Sequence, residues 1–243
     1  MGTLRSRIAA VTGITLVACV AGCGGRAVGD TPASGPASTG ASPIIFDLGG
    51  EFSFAANPNG QWSYGYTRAT QLARSDFALA TVADPSTPVG FWHPGPGPAG
   101  YYPYIAAGPG LATSHDPTNS WALRPGEVAL EASASGQFAV IEFNVPRAGG
   151  YDITVDFAGI HKGLSSTDAH VLLNDETLFT ATISGYGGDA GFFPRQGSNP
   201  SASYHATRAL RAGDVLTFAI GYGPNHTHYN DTTGLIATIR SST

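Results

Sequence analysis

Strict alternation of apolar and polar side chains is the feature that most constrains what this chain can fold into. In residues 151–157, Tyr, Ile, Val and Phe alternate with Asp, Thr and Asp. Because successive side chains of a β-strand point to opposite faces, this pattern predicts a strand with one buried face. Five further segments, bounded by Gly, Pro, Asn or Asp, carry strand patterns: 138–143, 170–173, 178–183, 215–220 and 235–239.

The spacing of these strands predicts the fold class. The strands are short and recur at intervals of roughly 8–20 residues, as in β-sandwiches and jelly rolls. No segment shows helical periodicity for longer than a turn or two. The best helical candidate, residues 70–80, fits a pair of strands equally well. Residues 44–243 are therefore expected to form one all-β domain.

Composition excludes several functional classes. Only 12% of the residues are charged, against about 25% in an average soluble domain. With 33 Gly and 17 Pro as well, the chain does not fit a coiled coil or a helical bundle. The 12 Lys and Arg residues face 17 Asp and Glu residues, so no basic face is available for phosphate contacts. These features indicate an exported all-β protein that does not bind nucleic acid.

The first 22 residues predict a lipoprotein signal peptide. Arg5 and Arg7 precede an apolar stretch, residues 8–20, that is short for a membrane-spanning helix. Val-Ala-Gly then precedes Cys23, which resembles the bacterial lipobox, where the cysteine thiol becomes the acyl acceptor. Cys23 is the expected lipidation site, and the cell membrane or the outer membrane is the expected location. The alternative is an ordinary signal peptide that happens to contain a cysteine.

Residues 23–43 are expected to be the lipidated cysteine followed by a flexible linker. The segment is rich in Gly, Ser, Ala, Thr and Pro and cannot bury a core. Both cysteines of the chain, Cys19 and Cys23, precede the domain, so residues 44–243 hold no disulfide. Removal of the signal peptide leaves ten basic and seventeen acidic residues, a formal charge of −7. We therefore expect the acyl chains alone to hold the protein at the lipid bilayer.

Several motifs in residues 44–243 carry a family resemblance. The opening N-P-N-G-x-W-S-Y-G at 57–65 and the ending D-x-T-G-L at 231–235 resemble a domain common in exported bacterial proteins. Between them, G-G-Y-x-I at 149–153 and L-x-x-G-D-x-L-x-F at 210–218 resemble carbohydrate-binding modules of the galactose-binding-like jelly-roll type. The resemblance implies a galactose-binding-like jelly-roll β-sandwich, and it implies a role in glycan binding.

Two segments that combine Pro and Gly with aromatic side chains are the predicted ligand-binding region. Residues 91–104 and 184–200 are expected to be surface loops, because a Pro/Gly run cannot form a central strand. Sugars present C–H faces that stack on aromatic rings. The candidate glycan-binding residues are Trp92, Tyr101, Tyr102, Tyr186 and Arg195. The alternative is that the rings fold back and cap one end of the sandwich.

No motif requires a cofactor, and a structural calcium ion is the metal that the sequence best allows. Ca²⁺ takes roughly six to eight oxygen ligands, and Asp231, Asn230 and Glu51 are the candidates. Alternatively, Asp231 caps the final strand through hydrogen bonds. His226 and His228 have the spacing of some zinc sites, but the Gly and Pro before them favour an ordinary polar loop.

Motifs for catalysis are absent from the sequence. There is no Gly-x-Ser-x-Gly, His-Glu-x-x-His, P-loop or dinucleotide fingerprint. Glycoside hydrolysis needs two carboxylates across a cleft, and Glu127, Glu131 and Glu142 are among those present. We therefore expect a ligand-binding protein and not an enzyme. The alternatives are a structural or adhesive protein that binds another protein, and a polysaccharide-active lyase or hydrolase.

Overall fold

Seventeen β-strands supply most of the regular structure in the computed structural model, which describes residues 42–95, 101–110 and 113–242. The first nine are short: β1 (Ile45–Asp47), β2 (Trp62–Thr67), β3 (Phe77–Leu79), β4 (Val82–Asp84), β5 (Gly90–His93), β6 (Tyr104–Ala107), β7 (Ser114–His115), β8 (Ala122–Leu123) and β9 (Val128–Glu131). The remaining eight are mostly longer: β10 (Ala139–Asn144), β11 (Gly149–Gly159), β12 (Ser165–Leu173), β13 (Glu176–Tyr186), β14 (Gln196–Asn199), β15 (Ser201–Leu210), β16 (Val215–Gly221) and β17 (Thr233–Ser241). Each of the six predicted strands overlaps one of these.

The strands form two antiparallel sheets. The first sheet has eight strands in the order β15-β11-β17-β9-β6-β5-β4, with β1 also paired to β17. The second sheet has seven strands in the order β14-β13-β12-β16-β10-β2-β3, and β7 and β8 form a separate ribbon. The predicted all-β, jelly-roll β-sandwich is confirmed.

The apolar faces of the two sheets pack on each other and form the core. In β11 all four apolar residues of 151–157 are buried, whereas Asp152 between them is exposed, as the alternation predicts. From the second sheet, Trp62 and Phe143 enter the same core with their ring centroids 4.9 Å apart. Burial of this kind stabilises a fold by about 25 cal/mol per Å² of apolar surface.

The helical interpretation of residues 70–80 is wrong, and the alternative of a pair of strands is met only in part, because the segment holds one strand. This segment contains a single 3-10 turn, Arg74–Asp76, followed directly by β3. The α-helix in the described part of the chain is α1 (Leu48–Glu51), only four residues long. Within residues 42–95, 101–110 and 113–242, no helix has the length and apolar character needed to cross a membrane.

Trp92 belongs to the core, which corrects the expectation that it stacks on a ligand. Residues 91–93 lie in β5 and not in a surface loop, and the Trp92 side chain is only 6% exposed. Its indole N–H donates to the carbonyl oxygen of Ser53 at 2.8 Å. The ring lies nearly parallel to those of Phe54 and Tyr64. Trp92 therefore stabilises the sandwich and offers no face to a ligand.

Tyr186 is likewise a core residue, contrary to its expected role. It ends β13, is fully buried, and donates its hydroxyl hydrogen to the carbonyl oxygen of Asp189 at 2.9 Å. Arg195 is exposed and donates to the Ser201 hydroxyl at 2.7 Å. The proposed signal peptide, Cys23 and the linker up to residue 41 lie outside the described residues.

Candidate functional site

A cleft of about 560 Å³ opens at one end of the first sheet. Strand pairing explains its position, because Tyr104 at the start of β6 lies opposite Glu131 at the end of β9. Similarly, Thr233 at the start of β17 lies opposite both Leu130 of β9 and Gly159 of β11. Loops that are far apart in the sequence therefore leave the sheet side by side and converge on the cleft.

Aromatic rings and ionisable side chains share the wall of this cleft. Its rings are those of Phe91, Tyr101, Tyr102, Tyr104, Trp121 and Tyr229. Its ionisable groups are three carboxyls and three imidazoles: Asp84, Asp116, Glu131, His93, His161 and His228. A concave site with apolar walls and a few convergent polar groups is the usual form of a small-molecule binding site.

Two tyrosines at the rim present their rings to solvent. Tyr101 is 59% exposed and Tyr229 is 67% exposed, which makes them two of the few large exposed apolar side chains described. The imidazole of His228 lies between them, 6.2 Å from the Tyr101 ring and 4.4 Å from the Tyr229 ring. An exposed ring that neighbouring side chains already hold in place can stack on a ligand, and it then loses little conformational entropy on binding.

The inner aromatic wall is ordered by edge-to-face contacts. The Phe91 ring meets Tyr104 at 5.3 Å and Trp121 at 6.5 Å, both nearly perpendicular. Tyr102 stacks on the imidazole of His93 at 4.6 Å. Such arrangements are the favoured geometries of aromatic pairs, so this wall is fixed before any ligand binds.

A loop held by one carboxylate forms another side of the cleft. Asp116 is buried and accepts hydrogen bonds from the backbone N–H groups of Thr118, Ser120 and Trp121. It also accepts a hydrogen bond from the Thr118 hydroxyl. With four donors around it, the Asp116 carboxylate keeps the loop between β7 and β8 in one shape and places Trp121 against the cleft.

Glu131 contributes a carboxyl group to the floor of the cleft. Its Oε2 accepts hydrogen bonds from the hydroxyls of Tyr104, at 2.8 Å, and Thr232. Its Oε1 has no hydrogen-bond partner among the described residues, although the side chain lines the cleft. Burial raises the Glu131 pKa to about 7. The floor thus offers an unused polar atom next to a fixed pair of hydroxyls.

The neighbouring ionisable groups are also tuned by burial. Burial lowers the pKa of His161 and of His228, so both imidazoles favour the neutral form. Burial raises the pKa of Tyr104 well above its ordinary value, and the adjacent Glu131 raises it further. The tyrosine hydroxyl therefore stays a hydrogen-bond donor at all ordinary pH values.

The predicted site residues divide between the cleft and other places. Tyr101 and Tyr102 line the cleft, whereas Trp92 and Tyr186 are core residues and Arg195 is not among the lining side chains. The sequence left open whether the two aromatic segments meet, and the 184–200 segment contributes no residue to the cleft.

The candidate calcium ligands do not come together as predicted. Asn230 lines the cleft, while Asp231 is buried and accepts the backbone N–H of Ser166 at 2.7 Å. Glu51 accepts the indole N–H of Trp62 at 2.7 Å. The described ranges contain no group of three or more His, Cys, Asp or Glu side chains arranged to hold a metal ion. Calcium at Asp231 and Asn230 stays a prediction.

Several cleft residues escaped the sequence interpretation. Trp121, His161 and Tyr229 belong to three different loops, and none of them stands in a recognisable motif. The sequence gives one weak indication of these residues. Two segments, 116–121 and 225–232, each combine polar turn residues with one aromatic residue. That indication does not show which loops meet.

No family model matches the chain, and no curated protein matches it. Similar solved structures include a family 35 carbohydrate-binding module from Clostridium thermocellum, at 9% identity, with 83% of this chain and 100% of that chain covered and a TM-score of 0.32. A family 51 carbohydrate-binding module from Clostridium perfringens GH95, in complex with methyl-galactose, matches at 12% identity, 53% and 79% coverage and a TM-score of 0.31. Rabbit GITRL matches at 16% identity, 42% and 71% coverage and a TM-score of 0.27. These similarities are low, so the fold and the site rest on the chain's own sheets and contacts.

Proposed function

We propose that the cleft binds a carbohydrate and that the protein is a non-catalytic glycan-binding β-sandwich. The observation that carries this proposal is the pair of exposed rings, Tyr101 and Tyr229, above a polar floor. Rings of this kind stack on the C–H faces of a sugar, while fixed polar groups bond to its hydroxyls. The free oxygen of Glu131 and the side chain of Asn230 are suitable partners for those hydroxyls.

Hydrolysis is the alternative to binding, and it makes its own demand on the carboxyl groups of the cleft. Hydrolysis of a glycosidic bond requires one carboxyl that donates a proton and a second that stays free to act as a base or nucleophile. Asp116 is fully occupied by backbone donors of its own loop, and Asp84 accepts the Ser86 hydroxyl. Glu131 and Asp84 each keep one carboxyl oxygen without a hydrogen-bond partner in the described part of the chain, so the proposal of a non-catalytic site rests on the lack of a catalytic motif in the sequence.

Calorimetric titration with a panel of oligosaccharides and polysaccharides tests the proposal. Tyr101→Ala and Tyr229→Ala are each expected to weaken the affinity for a bound glycan about tenfold, the value of one stacking contact. The thermal midpoint should hardly change, because both side chains are exposed. Tyr222→Ala is the matched control, since this tyrosine stands outside the cleft and contacts His226.

Each outcome of this titration has a meaning. If no saccharide of the panel binds, glycan binding is contradicted, and a role of the same rim in binding another protein is favoured. Sugar released from a polysaccharide would contradict the non-catalytic proposal. The titration is repeated with Ca²⁺ and with EDTA, and a loss of binding in EDTA would support calcium near Asn230 and Asp231.

We also propose that the protein is held at the cell envelope by lipid on Cys23. The support lies in the sequence, where small residues precede the cysteine and a polar linker follows it. The linker would keep the cleft away from the bilayer and accessible to glycans.

A further inference from the structure

The described lining of the cleft has carboxyl groups and imidazoles but no permanently basic side chain. Three carboxyl groups, those of Asp84, Asp116 and Glu131, line it, and none of its described lining residues is Lys or Arg. Two of the three histidines, His161 and His228, add little positive charge near neutral pH, because burial favours their neutral form. Among these described residues a bound ligand therefore meets carboxyl groups and no Lys or Arg side chain, and Glu131 adds its negative charge mainly above pH 7, because burial raises its pKa to about 7.

Two basic residues that lie close to cleft residues in the sequence, Lys162 and Arg124, have partners elsewhere. Lys162, which follows His161 in the chain, places its Nζ 4.2 Å from the centroid of the Phe192 ring. Arg124 forms an ion pair with Glu127 at 2.7 Å. Neither residue lines the cleft, so neither neutralises its carboxyl groups.

The aromatic walls also favour a positively charged ligand. The face of an aromatic ring is electron-rich and attracts a cation that approaches within about 6 Å of the centroid, with Trp and Tyr more effective than Phe. The cleft combines four tyrosines and a tryptophan with carboxyl groups, and the Glu131 Oε1 is a free hydrogen-bond acceptor on its floor. An ammonium group finds both attractive faces and an acceptor there.

We infer that the cleft takes a cationic saccharide, namely a hexosamine oligomer with free ammonium groups, in preference to neutral or acidic sugars. This inference rests on the proposed glycan binding and specifies the class of ligand. N-acetylation removes the positive charge while it leaves the ring and its hydroxyls in place. A uronic acid would place a second negative charge among the carboxyls. Charge on the ligand is thus the property that the cleft distinguishes.

Calorimetric titration of the purified protein with four oligosaccharides of equal length tests this inference. The probes are a glucosamine oligomer, its fully N-acetylated form, a neutral glucose oligomer and a uronic acid oligomer. The glucosamine oligomer should bind at least tenfold more tightly than the other three at low ionic strength. The advantage should shrink in 0.5 M salt, because exposed charges are then screened over roughly a few ångströms.

Paired variants assign the preference to the cleft. Asp84→Asn removes an exposed carboxylate of the cleft that accepts a serine hydroxyl. Asp152→Asn is the matched control, because Asp152 on β11 is an exposed carboxylate outside the cleft that accepts the hydroxyl hydrogen of Thr207 on β15. The first variant should lose several-fold in affinity for the glucosamine oligomer only, and the second should lose nothing.

The second test compares the affinity of Glu131→Gln and of its control, Glu142→Gln, for the glucosamine oligomer. Only Glu131→Gln should lose affinity. Both glutamates are largely buried, and only Glu131 lines the cleft. Equal affinities for all four probes, or tighter binding of the N-acetylated or acidic form, would overturn the cationic preference and leave glycan binding intact. No binding of any probe and none across the wider panel would overturn the proposed function as well.

Discussion

At the scale of the residue, Glu131 links the stability of the fold to the binding site. Its carboxyl group has little contact with water, which disfavours the charged form and raises its pKa from 4.5 to about 7. In the unfolded chain, the same group loses its proton near its ordinary pKa. Between these two values the folded state holds more protons, so the free energy of unfolding falls as the pH rises.

The first prediction is that Glu131→Gln stabilises the protein at pH 8 and not at pH 5. Glutamine keeps an acceptor oxygen for the hydroxyls of Tyr104 and Thr232 and stays neutral at every pH. At about 1.4 kcal/mol for each tenfold change in proton affinity, ionisation of Glu131 costs the wild type on the order of 3 kcal/mol at pH 8. Urea unfolding of both proteins at the two pH values measures this difference.

A control distinguishes this effect from a general effect of removing charge. Glu176→Gln, at an exposed position of β13, should leave the difference between the two pH values unchanged. An equal advantage of Glu131→Gln at pH 5 and pH 8 would show that the carboxyl ionises alike in the folded and unfolded chains, contrary to the prediction.

At the scale of the element, the loop between β7 and β8 depends on one side chain. Three backbone N–H groups point at the Asp116 carboxylate, and the Asp116 side chain is buried. An unsatisfied buried N–H costs about 1–3 kcal/mol, and hydrogen bonds to a charged acceptor are stronger than neutral ones. The carboxylate therefore determines the loop conformation, and through the loop it determines the position of Trp121.

We predict that Asp116→Ala has two linked effects. It destabilises the conformation of this loop, and it thereby weakens ligand binding. The loss of stability should be on the order of 3 kcal/mol, because several bonds to one charged group are removed. Hydrogen exchange of the Ser120 and Trp121 amides should become much faster than in the wild type. Asp116→Asn, which keeps one acceptor oxygen, should give an intermediate result. Unchanged exchange at these amides would show that the loop is held by other contacts.

Strands were predictable from the sequence, and the cleft was largely not. The period of two in 151–157 follows from the geometry of a strand with one buried face, and β11 matches it residue by residue. The same local rule misassigned Trp92, because an aromatic residue next to Pro and Gly is equally suited to an exposed loop or to a strand that ends there. Tyr101 and Tyr102 line the cleft because they directly precede Tyr104, the first residue of β6, and their role in ligand binding stays a prediction.

The partners of Tyr101 could not be inferred from local patterns. Tyr229 is more than a hundred residues away in the chain, and only the order of β6, β9 and β17 in the first sheet brings the two loops together. The order of strands in a jelly roll depends on long-range pairing, which a periodicity does not encode. The cleft is therefore a property of the topology more than of any motif.

At the scale of the whole molecule, the proposed lipid anchor would act without help from charge. Removal of the proposed signal peptide would leave a formal charge of −7, so an anionic membrane surface would repel the protein and would not help to hold it. Attachment would then depend on hydrocarbon alone, at about 0.8 kcal/mol for each buried CH₂ group. One acyl chain binds a membrane only marginally, and two or more give stable anchoring.

The last prediction is that Cys23→Ser releases the protein from the membrane. Serine lacks the thiol that accepts the acyl chain, and no basic patch remains to replace it. Metabolic labelling with a radioactive fatty acid, followed by separation of membrane and soluble fractions, should show unlabelled protein outside the membrane fraction. Cys19→Ser is the matched control, since Cys19 lies inside the apolar stretch that a signal peptidase would remove. It should leave both label and location unchanged. Label retained by Cys23→Ser, or lost by Cys19→Ser, would contradict lipidation at Cys23, whatever the cleft binds.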